Sequence, residues 1–512
     1  MIGGRPWWEQ RRFMALMALA MAIPLVWPTT PPLTDLVGHM GGYAVQIGLG
    51  GDPALGQWYD FKWTLIGNLG VDLLVQLFAP TFGLEPTVKA LVMAIPVLQA
   101  AGMLLVAREV HGRVPPTALF ALPLAFAWPF QFGFVNFSLS VGLALLLFAL
   151  WLRLTSLGHW RLRAALFVPA SFLLWLTHTY GWGLLGLMVG GSELIRHREA
   201  RVTWGQSLFR AGLSGSMLAG PVILILLAGH NAPGENTGGW FQWQIKLSYI
   251  LAVFRDRWRW FDLGSLVVVG GLLIRACLRP DFQWDKRLGL IAVLFAIAFA
   301  LMPRILLYSA YADMRLVPMV LAMAILAIRP LTDARLARVM AVAGLAFLVV
   351  RLGGLTVSTT LYDQSWRQAT TAIDHLPRHA RVLALVGRSC DESWNPHKLE
   401  HVPALALVRR HAFVNDQWAF STAQLLRVTK ADAPGFVEDP SQMVLGRDCQ
   451  NGAWAQIDSV LTQFPRASFD FVWMIAPPKF ARAALGDLQL LWTNGRDSLY
   501  RIPHPETAEA KP

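Results

Sequence analysis

Long apolar stretches, separated by short polar segments, dominate residues 1–357 of the chain. A helix that crosses a membrane needs about 20 mostly apolar residues, and the pattern predicts about eleven such spans. Several are short for a bilayer, so tilt or local thinning has to accommodate them. The predicted spans cover 13–28, 87–107, 117–130, 137–154, 164–177, 181–195, 210–229, 262–277, 288–303, 316–328 and 339–357.

From residue 358 onward the apolar runs shorten to the length of strands. The last two runs flank Asn494-Gly495, a dipeptide typical of a hairpin turn. We therefore predict a mainly α protein, with a helical membrane domain over 1–357 and a soluble α/β domain over 358–512. The predicted strands cover 382–386, 471–475, 488–492 and 498–502, and helical patterns cover 366–375 and 456–463.

Composition supports the membrane prediction. Hydrophobic residues make up 55% of the chain and charged residues only 15%, which is too apolar for an ordinary soluble protein. The formal charge of +12 comes from Lys and Arg in short clusters between the apolar runs. Such clusters are typical of orientation signals and lipid-headgroup contacts, so no nucleic-acid partner is expected.

The basic clusters also predict the topology, because cytoplasmic loops carry the excess of Lys and Arg. All clusters fall on one side if the polar-containing segment 63–80 lies at the outer interface as an amphipathic helix. The N-terminus is then cytoplasmic, behind an uncleaved anchor, and 29–86 forms the first outer loop. We expect a bacterial inner-membrane protein whose C-terminal domain is periplasmic. In that domain Cys390 and Cys449 could form a disulfide, a question that the sequence leaves open.

The first outer loop carries the leading candidates for catalysis, Asp35 and His39. They are four residues apart, so they share a face if a helix begins at Thr34 or Asp35. A fixed carboxylate can accept a proton, and a nearby imidazole can hold a phosphate or a metal. The alternative is that Asp35 only caps the helix. Lys62, later in the loop, is a candidate substrate-binding cation.

Two arginines flank the last outer turn, Arg304 and Arg315. Guanidinium groups at a membrane boundary are costly unless they are paired, and a lipid phosphate is a suitable bidentate partner. A salt bridge to Asp313 or snorkelling to headgroups is the alternative. His178 and Tyr180, at the end of an earlier span on the same side, are further substrate-binding candidates, although a lone His is often structural.

A further motif, His397-Lys-Leu-Glu400-His401, matches the H-x-x-E-H pattern of some zinc proteases. That pattern needs both histidines on one helix, and Pro396 and Pro403 leave fewer than two turns. No zinc-protease site is therefore expected, and no metal ligands are predicted.

The layout resembles the GT-C superfamily of integral-membrane glycosyltransferases. The resemblance rests on an acid in the first outer loop, an outer C-terminal domain and a late Asp313-Met-Arg315-Leu-Val-Pro318 turn. It implies sugar transfer from a polyprenyl-phosphate donor, with Asp35 assisting the acceptor or binding a metal and His39 as its helper. The first loop lacks an Asp-Asp or Asp-x-Asp pair, which leaves dependence on a divalent metal ion open.

The predicted function is a membrane glycosyltransferase that moves a sugar from a lipid-linked donor to an acceptor on the non-cytoplasmic face. The expected partners are that donor, membrane lipids and a glycan, lipid or protein acceptor. The alternative is a lipid or polysaccharide transporter or assembly protein without catalytic activity. A transporter more often shows polar residues at mid-membrane in paired halves.

Overall fold

The computed structural model describes residues 5–227, 237–306, 309–329, 333–390, 393–418, 424–449 and 453–504. Their contacts divide the chain into two compact units. Unit 1 is drawn from Met1–Trp27, Leu65–Leu73 and Ala90–Ser358, and unit 2 from Pro28–Thr64, Leu74–Lys89 and Thr359–Pro512. Most of the first loop therefore packs with the C-terminal tail. The prediction assigned that loop to the membrane domain instead.

Unit 1 is built almost entirely from helices. Among its described residues, the strands Gln283–Trp284 and Ile328–Arg329 form an antiparallel pair. Short 3-10 helices occupy Trp7–Glu9, Pro116–Phe120, Leu122–Phe126, Ser216–Leu218 and Met314–Leu316. The α-helices that lie in or enter this unit are Arg11–Ala20, Ile23–Val26, Gly70–Phe82, Leu84–His111, Trp128–Phe132, Val135–Ser156, Trp160–Thr177, Thr179–Glu199, Trp204–Gly215, Gly220–Leu227, Trp243–Leu251, Arg259–Leu278, Lys286–Leu301, Val317–Ala327 and Ala334–Thr370.

Four of the described helices are long and apolar enough to cross a membrane by themselves, and a pair bent by 67° could add a fifth span. They mark the chain as an integral membrane protein. The total of about eleven spans stays a prediction. The four helical spans are Leu84–His111, Val135–Ser156, Arg259–Leu278 and Ala334–His375, and the bent pair is Trp204–Leu218 with Gly220–Leu226.

The predicted span over 117–130 is not one continuous helix. It consists of the 3-10 helices Pro116–Phe120 and Leu122–Phe126, followed by the short α-helix Trp128–Phe132. A proline at the first or second position begins each of the three. Proline cannot continue a helix that precedes it, because it lacks the N–H and clashes with the preceding turn. Both 3-10 helices are fully buried in unit 1.

A mixed sheet forms the core of unit 2. Arg381–Arg388 is central and pairs in parallel with Phe471–Ile475 on one side and Met443–Leu445 on the other. The predicted hairpin is confirmed as Gln489–Thr493 and Ser498–Arg501, antiparallel and adjacent to Phe471–Ile475. The other strands of this sheet are Phe413–Val414 and Ala455–Gln456. The α-helices of this unit are Leu36–Gly48, Ala404–Arg410 and Ile457–Gln463. Its 3-10 helices are Leu55–Gln57, Thr371–His375, Arg466–Ser468 and Arg482–Leu485.

Specific contacts within unit 2 tie the first loop to the tail. The loop strand Tyr59–Phe61 pairs antiparallel with Leu426–Val428. Asp52 accepts hydrogen bonds from His379 at 2.8 Å and from His411 at 2.5 Å. These bonds hold the pKa of Asp52 well below its usual range. Because the partners are more than 300 residues apart in the chain, no local sequence pattern could reveal these contacts.

The structure joins Cys390 and Cys449 in a disulfide, with 5.3 Å between their Cα atoms. Cys277 is free and exposed. We expect the denatured, unreduced protein to take up one maleimide label and the reduced protein three, since the chain has 3 cysteines. Mass spectrometry of the labelled chain measures this directly. Three labels without reduction, in protein purified under thiol-blocking conditions, would contradict the pairing.

Candidate functional sites in the two units

The predicted site residues fall into two groups. His178, Tyr180, Arg304 and Arg315 belong to unit 1, whereas Asp35, His39 and Lys62 belong to unit 2. The four residues of unit 1 are described first, and we name their surroundings the arginine–aromatic cluster.

Arg315 is the most buried cation of this cluster, with 6% of its surface exposed. It lies in the 3-10 turn Met314–Leu316, which the carboxylate of Asp313 caps by accepting from Met314 N at 3.0 Å. Its guanidinium carbon lies 4.3 Å from the ring centre of Phe134 and 5.3 Å from that of Tyr180. Such rings stabilise a desolvated guanidinium while leaving its planar edge able to bind an anion.

His178 connects the helices Trp160–Thr177 and Thr179–Glu199 in an extended conformation. Its Nδ1 accepts a hydrogen bond from Tyr180 N at 3.1 Å, so the hydrogen of the neutral ring is on Nε2. Nδ1 of His178 therefore makes a structural hydrogen bond, the alternative to substrate binding that the sequence analysis gave. The ring also lies 5.6 Å from Tyr180 and 5.8 Å from Phe137, within the arginine–aromatic cluster.

Arg304 reaches the same cluster through Tyr311. Its guanidinium carbon lies 5.3 Å from the centre of the Tyr311 ring, and that ring lies 6.4 Å from Phe134, over which Arg315 is placed. The backbone brings the two ends of the turn together, because Ala312 N donates to Arg304 O at 2.9 Å. The structure thus places all four predicted substrate-binding residues of unit 1 in one region.

A small cavity of about 20 Å³ adjoins Arg315. Its walls are mostly apolar, including Met103, Phe130 and Met319, and Gln99 and Ser138 add polar groups. Arg315 is the one charged residue in this lining. A guanidinium beside an apolar, partly enclosed pocket is suited to contact an anionic group.

Asp313 is the partner of Lys246, a residue that sequence reasoning missed. Lys246 Nζ lies 2.7 Å from Asp313 Oδ2 and donates to the carbonyl oxygens of Phe299 and Met302, both at 2.8 Å. Asp313, which the sequence offered as a partner for Arg304 or Arg315, is thus the ion-pair partner of Lys246. A lone Lys in an apolar helix was the sequence signal that Lys246 needs a buried partner. The sequence could not identify that partner, because Asp313 lies 67 residues away.

Removing one partner of this ion pair should be costly, because both side chains are only 2% exposed. We expect Lys246→Met or Asp313→Asn alone to lower the free energy of unfolding by about 3–5 kcal/mol, since each leaves a buried partner unpaired. The double variant Lys246→Met/Asp313→Leu should recover most of the loss. Denaturant unfolding in detergent measures the three variants.

The control for this cycle is Glu199→Gln, which removes a partly exposed partner of Arg287 at 3.9 Å. We expect it to change the free energy of unfolding by less than about 1 kcal/mol. If either single substitution in the buried pair costs no more than Glu199→Gln, the pair does not stabilise unit 1.

In unit 2, Asp35 occupies the position before the helix Leu36–Gly48 but makes no side-chain capping bond. The capping alternative is therefore wrong for its carboxylate. Asp35 and His39 are both half-buried, as expected for residues on one face of the helix. The helix packs closely at Gly38, where an added Cβ atom would lie 2.6 Å from the Trp418 ring and 3.1 Å from His401 Nδ1.

The rings of His39 and His401 both pack near Trp418, at ring-centre distances of 4.9 and 4.4 Å. Burial and the charge of His401 lower the pKa of His39 to about 4, so His39 is neutral near pH 7. Burial also lowers the pKa of His401, but the carboxylates of Asp439, Glu400, Asp35 and Asp416 outweigh it and raise the net pKa. Asp35 and His39 thus belong to a larger group of acids and imidazoles.

The other sequence candidates of unit 2 have different outcomes. The Lys62 side chain is exposed, and its backbone N–H bonds to Leu425 O. The H-x-x-E-H segment forms turns, and the helix Ala404–Arg410 begins only after Pro403. The protease-like helix is therefore absent, as expected. The motif nevertheless contained Glu400 and His401, which the prediction did not connect with Asp35.

Comparisons with known proteins complete the description of the sites. No protein-family model and no curated protein sequence matches the chain. Two similar solved structures are crystal structures of ArnT from Cupriavidus metallidurans, one in the apo state and one bound to undecaprenyl phosphate. Both are 12% identical, with TM-scores of 0.47 and 0.48, and cover 97% and 96% of this chain and 99% and 98% of theirs. A likeness of this degree assigns neither the fold nor the activity of this chain.

Proposed function

We propose that the protein is a membrane glycosyltransferase that takes a sugar from a polyprenyl-phosphate donor and passes it to an acceptor on the non-cytoplasmic face. The observation that carries this proposal is Arg315, a buried guanidinium stacked among aromatic rings and facing an apolar cavity. A lipid phosphate is an anion that a guanidinium can bind through two N–H groups, and its hydrocarbon chain is compatible with apolar surroundings.

The reaction requires two events at the sugar. The bond between its anomeric carbon and the phosphate oxygen breaks, and the electron pair leaves with the lipid phosphate. A bond forms from the acceptor oxygen to the same carbon, and the acceptor's proton passes to a base. In this proposal Arg315 and Arg304 stabilise the departing phosphate, and Asp35 is the base.

The remaining candidates have supporting roles in the proposal. His178 donates through Nε2 and Tyr180 through its hydroxyl, so both suit phosphate oxygens. His39, being neutral, helps Asp35 by hydrogen bonding and does not act as a cation. Lys62 is proposed as an exposed cationic contact for anionic parts of the substrate.

The test is to incubate the purified protein with a set of polyprenyl-phosphate sugars and candidate acceptors, and to measure the released lipid phosphate. We expect release with at least one donor, dependent on protein concentration. Movement of intact donor across vesicles without any release would support the transporter alternative instead. Absence of both release and donor binding across the set would overturn the proposal.

A further inference from the structure

Three side chains in unit 2 converge in a way that the sequence did not predict. One ligand atom each from Glu400, His401 and Asp439 lies within 4.8 Å of the other two. From their geometry we infer that these residues form a binding site for one divalent transition-metal ion, either Zn²⁺ or Mn²⁺. The inference does not depend on sugar transfer.

The orientation of His401 supports this inference. Its ring is only 2% exposed, and Nδ1 lies 3.2 Å from the backbone oxygen of Asp416, to which it donates. In the neutral ring, the lone pair is therefore on Nε2. Metal-binding histidines are held in the same manner, by a hydrogen bond from the nitrogen that does not bind the ion.

The distance between ligand atoms also suits an ion. His401 Nε2 lies 3.9 Å from Asp439 Oδ1, which is too long for a hydrogen bond. At metal–ligand bonds of about 2.1 Å, two ligands of the same ion stand roughly 3 to 4 Å apart. The two atoms are thus spaced as ligands of one ion would be.

The carboxylates are held in place by other side chains. Gln442 Nε2 donates to Asp439 Oδ1 at 2.7 Å, and Arg388 Nη1 donates to Glu400 Oε2 at 3.1 Å. These contacts restrict rotation of both carboxylates, as outer partners of metal ligands do.

Asp416 provides an independent observation. It is completely buried, and among the described residues its Oδ2 atom has no hydrogen-bond partner, whereas Oδ1 accepts from Gln417 at 3.1 Å. The backbone oxygen of the same residue accepts from His401 Nδ1 at 3.2 Å, so Asp416 lies next to one of the three converging residues. A buried carboxylate oxygen without a donor is costly in free energy, and a cation at this position would compensate it.

The donor set selects the class of ion. One imidazole nitrogen and two carboxylates suit Zn²⁺ and Mn²⁺, whereas Ca²⁺ prefers six or more oxygen ligands. Three protein ligands also leave further coordination positions open.

A second group, Asp52 with His379 and His411, is less suitable. Its carboxylate already bonds both imidazoles directly, at 2.8 and 2.5 Å, which leaves no room for an ion between them. This group serves as the internal control.

The experiment uses the full chain in detergent, stripped with EDTA and then dialysed separately against Zn²⁺ and Mn²⁺. We expect about one ion per chain by elemental mass spectrometry, with Mn²⁺ confirmed by electron paramagnetic resonance. Asp439→Asn should weaken binding by at least about 10-fold, and Glu400→Gln should do the same. Asp52→Asn should leave the affinity unchanged.

Size-exclusion profiles and melting temperatures identify variants that fail to fold, and Glu400→Gln, at a partly exposed position, guards against that failure. Wild-type protein without a stoichiometric ion, or loss of the ion in Asp52→Asn but not in Asp439→Asn, would overturn the inference. Because bound metal is measured directly, this result is independent of whether the protein transfers a sugar.

Discussion

Replacing Asp35 by Asn should abolish sugar transfer, with a fall of about 10²–10⁴-fold or more in rate. The amide has nearly the same size as the carboxylate but cannot accept the acceptor's proton. Because the Asp35 side chain makes no capping bond to the helix Leu36–Gly48, its replacement should not unfold that helix. The measurement is lipid-phosphate release from the donor that the wild-type protein accepts.

The matched control is Asp60→Asn, in the same first loop. Asp60 is exposed and lies in the strand Tyr59–Phe61, so we expect normal transfer and normal expression. Donor binding should be retained in Asp35→Asn, since the proposal assigns phosphate recognition to unit 1. Normal turnover by Asp35→Asn would refute its role as the base, and equal losses in both variants would show that the loop itself is required.

The secondary structure of the tail could be predicted from sequence because its signals are local. The strand Phe471–Ile475 has the predicted bounds, and the hairpin forms around Asn494-Gly495 as expected. A run of apolar, β-branched residues and a turn dipeptide contain the necessary information within about ten positions. The prolines between 116 and 129 also predicted breaks in the helix, but the prediction of one span over 117–130 used hydropathy alone.

Long-range pairings could not be predicted in the same way. Asp52 bonds His379 and His411 across more than 300 residues, and Lys246 finds Asp313 across 67. Nothing near either residue specifies its partner, because hydropathy patterns report burial and not identity. The sequence therefore offered Asp35 and His39 as candidates in the first loop, but it could not show that His401 lies close to them.

Single cations at apolar boundaries could be predicted only in part, since the sequence shows the charge but not the groups around it. The sequence identified Arg315 as costly to place, because a guanidinium there needs an anion or a polarizable neighbour. It did not identify the neighbours, which are Phe134, Phe137 and Tyr180. The structure adds the small, mostly apolar cavity that adjoins Arg315.

The second large effect is expected at Arg315. Arg315→Lys keeps the positive charge but loses the planar guanidinium that stacks on Phe134 and can bind a phosphate through two N–H groups. We expect transfer to fall by about 10²-fold, as for the loss of one donor to a developing anion. Polyprenyl-phosphate binding, measured by native mass spectrometry, should weaken as well, and Arg315→Met should reduce both further.

Arg275→Lys is the matched control, because Arg275 also lies over an aromatic ring, Phe282 at 5.8 Å, but is exposed. It should leave transfer and lipid binding unchanged. A melting temperature measured for each variant separates loss of the phosphate contact from loss of packing. Should Arg315→Lys bind the lipid phosphate as tightly as the wild type while Arg304→Lys does not, the phosphate contact belongs to Arg304, and Arg315 only fills the aromatic cluster.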